Sequence, residues 1–143
     1  MIKEESITVE KILLTHGHLD HCGASKQIRD QLNISIEGPH KDDQFWIDQL
    51  EEQSKQFGLP NASSFIPDRY LNDNEIVEFG TIKLLVKHCP GHTPGHVIFF
   101  SPEEKIAIVG DVLFSGSIGR TDFPRGDYDT LIEAITTKMW PLG

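Results

Sequence analysis

The stretch Lys11-Ile12-Leu13-Leu14-Thr15-His16-Gly17-His18-Leu19-Asp20-His21 decides how the chain is read. Its first half is short, apolar and ended by the Gly17 turn, which predicts a buried strand over 11–15. Its second half spells HxHxDH. Alternate residues leaving a strand end point the same way, so His16 and His18 can converge on one cation. Asp20 and His21 come after the turn, which re-aims them toward a neighbouring position. Four potential ligands in six residues are costly to fold unless something satisfies them. Imidazole with carboxylate suits zinc, and also iron or manganese.

The next cluster lies far along the chain, at His88-Cys89-Pro90-Gly91-His92-Thr93-Pro94-Gly95-His96. Two Pro-Gly pairs constrain the loop and hold His92 near its apex. A third imidazole from a separate loop is what a zinc with three protein ligands requires. His96 opens an apolar run, which favours a hydrogen bond to a ligand over contact with the cation itself. His88 reads as a satisfied strand histidine, and His40 has no assigned role. After the apolar run 106–109 comes Gly110-Asp111, a carboxylate at a strand end that either bridges two cations or caps a turn.

Around these motifs the pattern alternates. Ala24, Ile28 and Leu32 fit a helix, and Ile34–Ile36 a short strand. Phe45, Trp46, Leu50 and Phe57 fit one amphipathic helix over 42–57, capped by Asp42 or Asp43 and ended near Gly58, with Pro60 just beyond. Four β-rich runs follow at 75–79, 82–87, 97–100 and 106–109. A last helix is expected over 128–139, with Leu131, Ile132, Ile135 and Met139 on one face and Asp127 as cap. The order strand, helix, strand, helix, four strands, helix is an α/β layered pattern. No linker divides it, so one domain over 1–143 is expected.

The chain has 143 residues, enough for one core. Its 22 acidic and 13 basic residues give −9, which disfavours binding to nucleic acid through neutralised phosphates. No apolar run approaches the ~20 residues of a membrane span. The opening MIKEESITVE lacks the apolar core of a secretory signal, and two cysteines without CxxC spacing make no disulfide framework. A cytoplasmic location is the expectation.

These motifs together resemble the metallo-β-lactamase superfamily, and more closely its glyoxalase II branch, the hydroxyacylglutathione hydrolases. The stretches 12–21, 90–96, 110–114 and Gly119-Arg120-Thr121-Asp122-Phe123-Pro124-Arg125-Gly126-Asp127 carry the likeness. It implies an αββα sandwich with a dinuclear site. His16, His18 and His92 would bind the first metal, Asp20 and His21 the second, and Asp111 would bridge. Zinc, up to two ions, is the expected cofactor. Water activated by the metals and oriented by Asp20, the catalytic residue, would attack a small-molecule thioester such as S-2-hydroxyacylglutathione. Arg120 falls where glyoxalase II places a basic residue for a glutathione carboxylate. Asp122 stands where that enzyme usually has a tyrosine, and its alternative role is simply to pair Arg120.

Three rivals are weighed against this reading. Persulfide dioxygenases look similar around 119–123 and use one iron. RNA-processing nucleases share HxHxDH but carry basic surfaces that this acidic chain lacks. A non-catalytic metal-binding fragment is the third, because family members usually have further strands before HxHxDH and a last histidine near the end. Here 15 residues precede His16, and no histidine follows His96. The sandwich is therefore expected to be incomplete at both ends, with a weak second metal site. Exposed strand edges would then invite a homo-oligomer.

Overall fold

Alternation along the first strand separates two cores. The computed structural model describes residues 7–59 and 62–143. In it β1 (Lys11–Leu13) pairs in parallel with β2 (Ser35–Glu37). Ile12 faces a cluster formed by Leu14, Ile36, Ile47, Leu50 and Phe65, whereas Leu13 packs the opposite way, against Leu71, Val77, Leu84, Val86, Val97 and Phe99. Successive side chains of a strand point to opposite faces, so one short strand serves both.

The first cluster is closed by helices α1 (Leu19–Cys22), α2 (Ser25–Leu32), α3 (Gln44–Asp48) and α4 (Leu50–Gln56). The second lies beneath an antiparallel sheet of β3 (Ile76–Phe79), β4 (Ile82–His88), β5 (Val97–Ser101) and β6 (Ile106–Ile108), in that order. β5 is buried on both faces. Val97 and Phe99 join the second cluster, while Ile98 meets Cys89, Val112, Leu131, Ala134 and Ile135. Leu131 and Ala134 belong to α5 (Tyr128–Ala134). Helices, sheet, sheet and helix thus stack in four layers, the expected α/β sandwich. Val97 N–H donates to the Thr15 carbonyl at 2.8 Å, joining the two sheets beside His16.

Several elements depart from expectation. The turn after His18 is a one-turn helix, α1. The single helix over 42–57 is instead a 3-10 turn (Lys41–Asp43), then α3 and α4, broken at Gln49, whose N–H donates to Trp46 three residues back. Neither Asp42 nor Asp43 caps it by side chain. His40 caps the 3-10 turn, with Nδ1 accepting from Asp42 N–H. α4 ends in paired 6→1 and 5→2 bonds from Leu59 and Gly58, with Gly58 at φ +64. Pro60 lies outside the described residues, as does the start of the opening segment, 1–6. Ile28 and Leu32 of α2 stay 39% and 43% exposed. After α5 the chain widens into a π turn over Ile135–Met139. The Asp127 cap forms as expected, accepting from Thr130 N–H at 2.7 Å. A small hairpin, β7 (Leu113–Phe114) with β8 (Ser117–Ile118), had no expectation.

Candidate metal centre

Two loops meet where the sheets come together. The segment after β1 supplies His16 and His18, and the β4–β5 loop supplies His92. One donor nitrogen from each lies within 4.8 Å of the others, and all three side chains are buried. His18 keeps an extended backbone and precedes α1, which turns the chain so that Asp20 and His21 project beyond it.

A hydrogen bond fixes which nitrogen of His92 is free. His92 Nδ1 faces the Arg120 carbonyl at 2.7 Å. A carbonyl only accepts, so Nδ1 carries the proton and Nε2 presents its lone pair. That Nε2 stands 3.0 Å from His18 Nδ1. His16 Nδ1 meets Thr15 Oγ1 at 3.1 Å, and its Nε2 is buried with no hydrogen-bond partner among the described residues. An unpartnered polar atom in such a place is costly, and a cation would relieve it. Two ligands on a tetrahedral zinc at ~2.05 Å lie roughly 3.3 Å apart, close to the His18–His92 separation. The donor set fits a divalent cation.

A second set, His16, His21 and Asp111, lies beside the first. Asp111 divides its carboxylate between them. Oδ1 is 3.3 Å from His21 Nε2 and Oδ2 is 3.5 Å from His92 Nε2. Asp20 belongs to neither set. Its carboxylate is 3.5 Å from His21 Nε2, but the side chain is 77% exposed, at the rim.

His96 is fully buried and stacks on His16 at 4.6 Å. Its Nε2 accepts from Asp111 N–H at 3.1 Å, the hydrogen bond to a candidate ligand that its position suggested. His88 is likewise satisfied, with Nε2 at 2.8 Å from the Pro94 carbonyl and its ring stacked on His40.

Burial is the main cause of the electrostatic state here. It lowers His18 to about 4, with the His92 imidazole adding to the effect. Burial and then the neighbouring imidazoles push His16 and His96 far below the ordinary histidine range. These rings are neutral at physiological pH and offer lone pairs, which is what a cation needs. The thiols go the other way. Burial raises Cys22 to about 12 and Cys89 to about 11, so neither is a thiolate nucleophile.

The site opens into a cleft of about 880 Å3 that touches His18, Asp20, His92 and Asp111. Trp46, Phe57, Leu59 and Phe123 give it apolar walls, and Trp46 lies edge-on to His18 at 4.5 Å. Arg120 lines the mouth, yet its guanidinium is held by Asp122 through two bonds of 2.7 and 2.6 Å and lies over Phe123 at 4.3 Å. The pairing alternative therefore describes its side chain. Its backbone carbonyl reaches the centre, through His92.

Two participants were not anticipated. Trp46 belongs by sequence to the apolar set of the expected 42–57 helix, and aromatic spacing does not distinguish a core wall from a cleft wall. By sequence Asp43 is, with Asp42, a candidate helix cap. Instead it is fully buried and accepts from Gly17 N–H at 2.8 Å, from Thr93 Oγ1 at 2.7 Å and from Gly95 N–H.

Comparison with known proteins identifies the family. Hydroxyacylglutathione hydrolase GloC of Haemophilus influenzae is 49% identical over 142 residues, spanning 99% of this chain and 67% of that protein. Among solved structures, the BLEG-1 B3 metallo-beta-lactamase superposes with a TM-score of 0.87 at 37% identity, over 99% of this chain and 68% of its own. TTHA1623, solved in a di-iron-bound form, gives 0.84 at 32% identity, over 94% and 66%. The chain thus spans about two thirds of the length of these relatives. The family model described as the metallo-beta-lactamase superfamily matches residues 2–141, and the chain belongs to that superfamily.

Proposed function

We propose that the chain is a metal-dependent hydrolase of the glyoxalase II type, acting on a thioester such as S-2-hydroxyacylglutathione. One observation carries this: three buried imidazoles from two loops bring donor nitrogens within 4.8 Å of one another, that of His16 otherwise unpartnered among the described residues. The likeness to a relative named for hydroxyacylglutathione hydrolysis supports the substrate class.

In this reading His16, His18 and His92 hold the first cation, and His21, Asp111 and Asp20 serve the second. A bound divalent ion of the zinc kind lowers the pKa of its water to roughly 7 and polarises a carbonyl. The protein does the rest. The Arg120 carbonyl locks the His92 tautomer, and His96 pins the backbone of Asp111. Asp20, at the cleft rim, orients the attacking water. The walls formed by Trp46, Phe57, Leu59 and Phe123 take the apolar part of the substrate and exclude solvent. A thiolate with a parent pKa of about 8.5 leaves readily, so the site needs no strong general acid.

Hydrolysis of an S-2-hydroxyacylglutathione thioester by the metal-loaded chain, abolished in His16→Ala, is the expected result. Metal binding without turnover would contradict it. A single bound iron with oxygen uptake on a persulfide would move the assignment to the dioxygenase branch.

A further inference from the structure

His18 and His92 are 74 residues apart in sequence, and the loops that carry them leave different sheets. Their imidazoles meet only if the two backbones are held at a set distance. We propose that Asp43 is a positioning residue whose single carboxylate clamps both loops and so sets the spacing of His16, His18 and His92. Oδ2 accepts from Gly17, which lies between His16 and His18, and from the Thr93 hydroxyl next to His92. Oδ1 accepts from Gly95. Three donors converge on one side chain that has no exposed surface.

Both loops are shaped for this approach. A Cβ on Gly17 would stand 2.9 Å from the Asp43 carbonyl oxygen, and one on Gly95 would stand 2.8 Å from Asp43 Oδ1. Those distances are too short for any other residue, so each glycine admits the same carboxyl-bearing segment from its own side. Burial raises the pKa of Asp43, and the three donors oppose that rise. A buried acid is an expensive way to fill space, and an apolar residue would pack more cheaply. The expense is understandable if geometry is what it secures. Three residues on, Trp46 sets its ring edge against His18, so the same segment fixes backbone and imidazole together.

Asn at position 43 keeps the volume but has one acceptor oxygen and one NH2. Whichever way it turns, the NH2 faces either Gly17 N–H or Gly95 N–H, and one loop is released. Hydrogen exchange on the metal-free chain tests this without any ion. We expect the amide of Gly17 or Gly95 to exchange at least ~10-fold faster in Asp43→Asn, and both in Asp43→Ala, with the amides that pair strand β4 to strand β5 unchanged. Cobalt(II) titration then tests the consequence. Asp43→Asn should bind ~10–100-fold more weakly, with altered visible bands. Leu84→Ala, a core change away from the loops, should lower Tm and leave cobalt affinity and spectrum intact.

Unchanged exchange at both glycines in Asp43→Asn overturns the clamp. Equal cobalt loss in Leu84→Ala and Asp43→Asn overturns the positioning role. The inference rests on the metal site proposed above, and failure there is recognisable by itself: the unmutated chain would take up no cobalt while its Gly17 and Gly95 amides stayed protected.

Discussion

Two donor sets share His16, and they are built differently. The inner set, His16, His18 and His92, is buried throughout, braced by the Arg120 carbonyl and by the Asp43 bonds to both loops. The outer set, His16, His21 and Asp111, is only partly covered, with the His21 side chain 30% exposed and that of Asp111 25%. One nitrogen cannot serve two cations. If the inner ion takes His16 Nε2, the outer ion keeps His21, Asp111 and the exposed Asp20. Precision goes with burial and backbone bracing, and the outer set has less of both.

The largest effect expected from this contrast is the loss of an inner ligand. His16→Ala should remove the inner ion and all turnover, measured by elemental analysis and thioester hydrolysis. An inner ion retained at full affinity would show that the set does not depend on His16. Next comes Asp111→Asn, which should spare the inner ion and weaken the outer one, for a fall in activity of ~10–100-fold. Isothermal titration with zinc reads the two affinities separately, and two equally tight sites would break the comparison.

Acid should act on the metal-free fold through the inner rings. His18 titrates near 4 when folded, against 6.5 for an ordinary histidine, and burial lowers His16 and His96 further. Below 6.5 the unfolded chain therefore binds more protons than the folded one, and stability falls as pH falls. Each such ring contributes about 1.4 kcal/mol per pH unit. For His18 the loss levels off near 4. Urea midpoints between pH 7 and 4 check this, and flat midpoints would contradict it.

The smallest effects belong to the rim and the sheet edge. Arg120→Ala leaves the carbonyl to His92 in place, so metal affinity should not change, and any effect should appear in KM. On the far side, β6 presents Ile106 and Ile108 at 58% and 52% exposure. We expect association through such an edge at high concentration, weakened by Ile108→Lys and measured by sedimentation.

Much of the contrast was legible in the sequence because it is written in spacing. HxHxDH, the apex His92 and the strand-end Asp111 are local patterns, and the structure brings His16, His18 and His92 into one set and Asp111 beside it. The β3–β6 sheet was equally plain, since β-branched runs and turn signals repeat there, and its strand bounds shift by only a residue or so. What failed to show depends on distant partners. Asp43 bonds to residues 26 and 52 positions away, and nothing near it distinguishes a clamp from a helix cap. The break at Gln49 and the two-residue strands β7 and β8 come from tertiary packing, not from local preference. Arg120 meets His92 through its backbone carbonyl, which no side-chain pattern can reveal.

The most direct test is anomalous X-ray scattering from a crystal of the zinc-loaded chain. A strong peak is expected within ~2.1 Å of His16 Nε2, His18 Nδ1 and His92 Nε2, with a weaker peak toward His21 and Asp111. A principal ion that leaves His92 outside bonding distance would contradict it.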